Sequence, residues 1–507
     1  MQDAETPRIA LPARPVTISP AVTAGTLIYL AAFALRLLPV FAFPSIDYPD
    51  EIFQAVEPAH RLVYGTGLIP WEFVYGMRSW ALPGFIAGIM KATRIVGDGP
   101  AIYMPAIGTV LAALGATSAL CAYLWGRRFY GVWGGIIAGA LTACWIDAVY
   151  FGPRPLSEAV SAHLLVIGLY LAAPGYAVRG RGRLALAGLI LGVAALLRIQ
   201  IAPAVAIFVL WNWVDTVPAG QRLPPLIAGG LVAIALFGAL DAVTWGWPGE
   251  SLWRNVLINL WYGVSTHWGA EPWHYYLDAV LFYWGAATAV MLVLARLGAR
   301  RLPVLAALAL IILVIHSAIP HKEFRFIYPA LLLTVISAGL GLAQVVDWLA
   351  DGFALRGMTE RAALHAAAVP VLALAVLTPA GLADSPNYRA LWTRDADVVR
   401  ADRIVAALPD VCGIELYGVP WFLSGGYSLM HQNAPLYWED DLAWFTAHRD
   451  AFNTVVATHP LPANSGFATV HCTHNVCVAR REGPCTALPM TVPGPPPGLG
   501  QVAPLAH

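Results

Sequence analysis

Residues 48–83 read YPDEIFQAVEPAHRLVYGTGLIPWEFVYGMRSWALP and follow directly on the first apolar run of the chain, residues 21–43. Together with the residue before Tyr48, this stretch carries Asp47, Asp50, Glu51, Glu57, His60, Arg61, Glu72 and Arg78, interleaved with aromatics. Ionisable groups cost free energy in hydrocarbon unless they are paired or watered. Their density beside an apolar span therefore marks a loop at the membrane surface. Such a loop, rich in Trp and Tyr and anchored to a helix, is a suitable seat for acid–base chemistry.

Composition supports the membrane reading. The 507 residues are 58% hydrophobic and only 12% charged, where soluble domains carry roughly a quarter charged residues. The apolar runs are too many and too widely spread to be a signal peptide, so the chain reads as polytopic. Formal net charge is zero, which gives no basic footprint for nucleic acid. Ala, Gly, Pro and Arg are abundant and Lys is scarce, a composition that points to a GC-rich bacterial genome.

After 21–43, apolar spans are expected at 101–125, 131–149, 157–175, 184–199, 201–214, 226–245, 276–296, 303–319, 326–346 and 363–381, about eleven in all. Arg198, Gln200 and Pro203 divide 184–214 into two short spans, because their polar groups and ring interrupt the apolar pattern. Placing the N-terminal tail, 1–20, in the cytoplasm puts Arg127/Arg128, Arg179/Arg181/Arg183, Arg222, Arg296/Arg300/Arg301 and Arg356/Arg361 inside, as the positive-inside rule requires. The loops 44–100, 150–156, 246–275 and 320–325 then face outward, and they hold most of the acid, His and Trp. The membrane domain is thus 21–384.

From about residue 385 the pattern changes to turn signals and short β-like runs such as NTVVATH and FATVHC. Residues 385–490 read as a small α/β or α+β domain on the outer face, and 491–507, PGPPPGLGQVAPLAH with its flanks, as a disordered tail. Cys412, Cys472, Cys477 and Cys485 all lie in this domain. In an exported domain they suggest two disulfides, with three possible connectivities. The rival reading is a metal site in HCTHNVC, His471 to Cys477.

Four outward loops bring charge and aromatics to one side. They carry Asp50/Glu51, Glu57/His60, Trp71/Glu72 and Arg78; Arg154 and Glu158; His267, Glu271, Trp273, His274, Tyr275 and Tyr276; and His321, Lys322, Glu323 and Arg325. That set describes a cavity. Its cations suit a phosphate, with Arg as a bidentate donor and Lys as a point charge. Its aromatics suit a sugar face or an isoprenoid chain. Plainer roles compete: interfacial belt positions for Trp247, Trp253, Trp261 and Trp268, helix capping for Glu158, a backbone contact for Arg198, and ordinary core for Trp421 and Tyr427.

The ordered motifs resemble the dolichyl-phosphate-mannose-dependent α-mannosyltransferases, glycosyltransferase family 22, which serve N-glycan and GPI-anchor assembly. The similar elements are Pro49-Asp50-Glu51, Glu57-x-x-His60, Tyr64-Gly65-x-Gly67, Trp71-Glu72, Arg78-Ser79, Arg154-x-x-Ser157, Pro272-Trp273-His274-Tyr275-Tyr276 and His321-Lys322-Glu323-x-Arg325-Phe326. They are collinear over residues 47–330, and the order makes the set specific. Tyr48 stands where the family usually has His, and Phe324 where it often has a charge. The resemblance implies a GT-C fold with its active site at the outer face, and it leaves the C-terminal domain uncovered.

It further implies an inverting glycosyltransferase that moves a sugar, mannose in an α-linkage, from a polyprenyl-phosphate donor to a glycan or glycolipid acceptor. Asp50 is the expected base, with Glu51 as its alternate. His321, Lys322 and Arg325, with Arg154 and Arg198, are the expected ligands of the donor phosphate. Glu57, His60, Trp71, Glu72, Arg78, Trp273, His274 and Glu323 are the expected substrate-binding residues. No cofactor and no metal are expected, since cationic side chains can do the metal's work and neither a D-x-D motif nor a Gly-rich phosphate loop stands out. The compartment expected is a bacterial inner membrane with the site facing the periplasm, or the endoplasmic reticulum in a eukaryote. A lipid or sugar transporter, or a non-catalytic sugar- or lipid-binding scaffold, uses the same charges differently; the transporter predicts internal repeats, and none is visible.

Overall fold

Why the polar loops converge is visible in a computed structural model of the protein, which describes residues 19–172, 180–214, 219–489, 494–497, 499 and 502–505. The expected N-terminal tail up to residue 18, and Arg179, lie outside these.

Apolar helices dominate the first part of the chain: Pro20–Phe41, Pro100–Cys144, Ser157–Ala172, Arg181–Leu197, Ala202–Val214, Ala219–Trp245, Tyr275–Trp284, Ala287–Gly298, Pro303–Ala318, Tyr328–Ala354 and Glu360–Ala383. Ser19 opens the first by accepting the Val22 N–H on its hydroxyl, and Pro20 takes the first helical position. The expected spans fall on these helices, with 276–296 divided between two of them and 131–149 running past Cys144 into the short helix Ile146–Phe151, and length divides the helices. Among the described residues, five are long and apolar enough to cross a membrane, and six if the pair Tyr275–Trp284 and Ala287–Gly298, bent by 107°, is one span. The others are short or broken. Pro100–Cys144 absorbs two expected spans across a break at Tyr130–Gly131, where Gly131 takes φ +70°. The division of 184–214 is present: Arg198 leaves the helix in extended backbone, and a short 3-10 turn, Ile199–Ile201, leads into the next helix.

Small residues let the helices approach closely. A Cβ on Gly188 meets the Leu226 carbonyl oxygen at 1.9 Å, and one on Gly229 meets that of Ala185 at 1.9 Å. The helices Arg181–Leu197 and Ala219–Trp245 are in backbone contact there, and any side chain at either glycine drives them apart. The main core lies around Trp125, Trp145, Tyr150, Trp284 and Tyr328.

The loop after the first helix is itself folded. Pro49–Glu51 runs into a π-helical turn, Ile52–Val56, and then into Glu57–Tyr64. A π turn inserts a residue into the helical repeat and re-aims the side chains beside it, a feature common at functional sites.

The C-terminal domain has helices Pro386–Thr393 and Ala396–Ala407 and five strands: β1 Ile414–Tyr417, β2 Leu436–Tyr437, β3 Thr454–Ala457, β4 Ala468–Thr473 and β5 Val476–Arg480. The sheet order is β2-β1-β3-β5-β4. β1 is parallel to β2 and β3, while β5 is antiparallel to β3 and β4. The four cysteines pair as Cys412–Cys485 and Cys472–Cys477, so the HCTHNVC thiols are engaged with each other. The tail departs from the expected disorder at its described residues. Leu499 is buried with Trp71, Tyr75, Met77 and Ile258, and the Leu505 N–H donates to the Val74 carbonyl at 3.0 Å. Apolar side chains in an otherwise Pro-rich segment find an aromatic surface to cover.

Candidate active site

The first loop folds back between the helices and the C-terminal domain, and two buried carboxylates fix it there. Glu57 accepts backbone N–H groups from Leu68 at 2.8 Å, Tyr427 at 3.0 Å and Ser428 at 2.7 Å. Burial pushes its carboxyl up to about 7 against the pull of those N–H groups. Asp47 pairs with Arg394 at 2.7 Å. His60 meets the Thr66 carbonyl through Nδ1 at 2.7 Å and His431 Nδ1 through Nε2 at 3.0 Å. Burial pulls the His60 ring down to about 4. Since its Nδ1–H serves the carbonyl, Nε2 is the acceptor and His431 the donor. Glu57 and His60, expected at the substrate, are joined to the neighbouring domain instead.

On the other side of the loop lies a cavity of about 520 Å³. Among the described residues, its charged lining is Asp50, Arg78, Glu158, Arg198 and Asp241. Asp50 Oδ2 is 2.6 Å from an Arg325 guanidinium nitrogen, and Asp50 keeps a quarter of its side chain exposed. Arg325 also forks to Glu323 at 2.8 Å and approaches Glu158 at 3.5 Å, and Glu158 is 3.3 Å from Arg198. Arg325 is buried, which by itself lowers a guanidinium, yet Asp50, Glu323 and Glu158 together hold it well above its ordinary value. Burial likewise pushes Glu323 up, but Arg325 and His321 outweigh it and hold the carboxyl well below the usual range. The rings of Tyr48 and Phe326 lie under the Arg325 guanidinium at 4.9 and 5.0 Å, so Tyr48, in the position usually held by His, serves as a cation–π floor.

Buried side-chain atoms without a hydrogen-bond partner gather at this lining: Arg78 Nε, Arg198 Nε, Gln200 Oε1 and Asp241 Oδ1. Native interiors satisfy such groups almost everywhere, so a concentration of them calls for an occupant. Leu197, Ile234, Phe237 and Leu252 make the same lining apolar on one flank. The arrangement offers a carboxylate that can take a proton, two cations for an anion, and a hydrocarbon surface beside them.

Other expected site residues are committed elsewhere. Glu51, the residue after Asp50, is buried and paired with Arg154 at 2.8 Å. Arg154 also donates to Ser45 and lies over the Tyr150 ring. Lys322 gives its ammonium to the carbonyls of Glu271, Ile319 and Pro320, which staples two loops together. His321 bridges the Gly269 carbonyl and Glu323. Trp71 is core and Glu72 accepts from Gln54 at 2.9 Å. Trp273 is largely exposed and His274 pairs with the exposed Asp278 at 2.6 Å. The helix Tyr275–Trp284 begins just after them and turns Tyr276 inward in their place. Asp241 was missed, although a lone carboxylate inside the apolar run 226–245 is a functional candidate by default. It accepts both the N–H and the hydroxyl of Ser251.

The fold has a solved counterpart. ArnT from Cupriavidus metallidurans, bound to undecaprenyl phosphate, superposes with a TM-score of 0.60 at 13% identity, covering 91% of this chain and 98% of that one. This is the GT-C membrane glycosyltransferase architecture. In sequence, GPI alpha-1,2-mannosyltransferase 3 of Mus musculus is 26% identical over 335 residues, 64% of this chain and 60% of the mouse protein. GPI mannosyltransferase 3 of Yarrowia lipolytica is 28% identical over 343 residues, 65% of each. The chain thus aligns with less than two thirds of the length of these relatives. The aligned family region contains the first loop, Arg154 and the HKEFRF segment: the profile of the Alg9-like mannosyltransferases matches residues 27–383, and the chain belongs to that family.

Proposed function

We propose that the protein is an inverting mannosyltransferase that moves mannose, in an α-linkage, from a polyprenyl-phosphate carrier to a glycan or glycolipid acceptor at the outer face of the membrane. The observation that carries this reading is Asp50 at the wall of a cavity whose other charged groups include Arg78 and Arg198. Asp50 takes the proton of the acceptor hydroxyl as that oxygen attacks the anomeric carbon. The bond from that carbon to the phosphate oxygen breaks, and the lipid phosphate leaves as an anion. Arg78 and Arg198 stabilise the charge that develops on it, and the apolar flank holds the isoprenoid. Arg325 orients Asp50 and is a positioning residue. Family membership supports mannose, and the names of the aligned relatives support an α-1,2 linkage. The outward orientation rests on the distribution of Arg between loops.

The test is transfer of labelled mannose from a polyprenyl-phosphate mannose by the purified full chain and by Asp50→Asn. General-base assistance is worth about a hundred- to ten-thousandfold, and the variant is expected to lose at least that. Equal transfer by both proteins removes Asp50 from the role. Absence of transfer by wild type across a range of carriers and acceptors removes the transferase reading.

A further inference from the structure

A second, smaller pocket of about 90 Å³ lies on the seam between the membrane domain and the C-terminal domain. Ser45, Glu51 and Arg154 line it from one side, and Val399, Arg403 and Leu429 from the other. The C-terminal domain closes one side of it. Asp50 lines the large cavity and Glu51, next in the chain, lines this pocket; Pro155 lines both.

Its charged lining is Glu51, Arg154 and Arg403. Glu51 and Arg154 neutralise each other at 2.8 Å. Arg403 remains. It is half-buried, its Nε is buried without a hydrogen-bond partner, and among the described residues it has no acid within ion-pair distance. Burial pulls its guanidinium below the ordinary value and no carboxylate offsets that. An arginine is kept partly desolvated and unpaired only at a cost to stability. A cost borne at one residue in a pocket beside the reacting loop is typical of a binding group rather than a structural one.

We propose that this pocket is a subsite for a phosphate-class oxyanion, recognised by Arg403 and completed by docking of the C-terminal domain. The volume suits one such group, and guanidinium is the side chain that matches it by bidentate donation. Two sources carry this chemistry: a phosphate substituent on the acceptor glycan, and the headgroup of an anionic lipid. The assignment rests on the pocket and not on the transferase reading, since it concerns binding alone.

The experiment titrates the purified full chain with inorganic phosphate and with mannose 6-phosphate by calorimetry, for wild type, Arg403→Gln, Arg403→Lys and Arg198→Gln. Two sites are expected in wild type. Arg403→Gln weakens one by about ten- to a hundredfold, the usual worth of a charge-assisted contact, while Arg403→Lys keeps part of it. Arg198→Gln weakens the other. Without phosphate, Arg403→Gln unfolds at the same temperature as wild type or higher, because it removes an unpaired buried cation; this also establishes that the variant folds. Asp50 does not line the smaller pocket, so Asp50→Asn keeps the Arg403 site whatever it does at the large cavity, and a failed transfer assay and a failed subsite are distinguishable. Competition by mannose 6-phosphate at the Arg403 site assigns the glycan source. Competition only by phosphatidylglycerol nanodiscs, with phosphatidylcholine as control, assigns the lipid source. Equal phosphate binding by wild type and Arg403→Gln, or a lower unfolding temperature for Arg403→Gln without phosphate, overturns the proposal.

Discussion

Asp50 Oδ2 lies 2.6 Å from the Arg325 guanidinium, and the same guanidinium reaches Glu323 at 2.8 Å and Glu158 at 3.5 Å. One cation from the HKEFRF segment therefore fixes the carboxylate of the first loop against two others. Arg325→Met leaves three carboxylates facing one another around an apolar side chain. Removing one partner of a buried ion pair costs about 3–5 kcal/mol, and a fall of that size in unfolding free energy is expected. Arg325→Lys keeps the charge but not the fork. It should fold, with turnover reduced about a hundredfold through misplacement of Asp50. Wild-type turnover in the Lys variant would show that Arg325 does not position the base.

Arg78 and Arg154 look alike in the sequence, and the structure separates them. Arg154→Gln strands the buried Glu51 and should destabilise by about 3–5 kcal/mol. Arg78 has an unpartnered Nε at the large cavity and also faces the buried Glu72, so Arg78→Gln should destabilise less than Arg154→Gln. Its effect should fall on the donor, with KM for the polyprenyl-phosphate sugar raised about tenfold. Thermal unfolding and donor titration on the two variants check this together, and a reversed pattern contradicts the division.

Glu57 holds the C-terminal domain by accepting the Tyr427 and Ser428 N–H groups. Glu57→Ala leaves three buried N–H groups, including that of Leu68, without an acceptor, at about 1–3 kcal/mol each. Glu57→Gln keeps one acceptor oxygen and should lose less. Limited proteolysis reads the result as faster cleavage between the domains, in the order Ala, Gln, wild type. Identical cleavage rates would mean that other contacts carry the docking.

Asp402, on the helix Ala396–Ala407, holds the same turn from the other side. Its Oδ2 accepts the Gly425 N–H at 2.8 Å while Oδ1 has no partner. Burial, with a smaller push from Glu57, raises its carboxyl to about 7. The native state therefore holds a proton that the unfolded chain releases near the ordinary value of about 4. This contribution to stability is complete below the unfolded value and is lost as pH rises through about 7. Glu57 acts with the same sign. His60, lowered to about 4, acts with the opposite sign, its contribution being lost as pH falls below about 6.5. Asp402→Asn removes one component and leaves the others. Its stability relative to wild type should rise between pH 5 and pH 8, measured by unfolding at both. Parallel pH profiles would place the titration elsewhere.

The apolar runs, the break at Arg198 and the gathering of cysteines in a distinct last domain were legible because they depend on local composition and periodicity. So was the ordered series of motifs from Pro49 to Phe326, which led to the family. The site was legible only as a set of candidates. Asp50 and Glu51 are adjacent carboxylates, and no local feature says that one faces the large cavity while the other pairs with Arg154. That follows from the turn of the helix at the π segment and from partners more than a hundred positions away. The same holds for Lys322, whose ammonium is taken by carbonyls of two loops, and for Trp273 and His274, which the start of a helix leaves at the surface. It holds also for Leu499, which leaves a Pro-rich tail to cover Trp71. Sequence by itself determined which groups are too polar for the bilayer and on which loops they stand, since transfer free energy is a property of each residue. Tertiary structure alone decided which of those groups neutralise one another and which stay unpaired at a cavity, because pairing depends on distances that only packing sets.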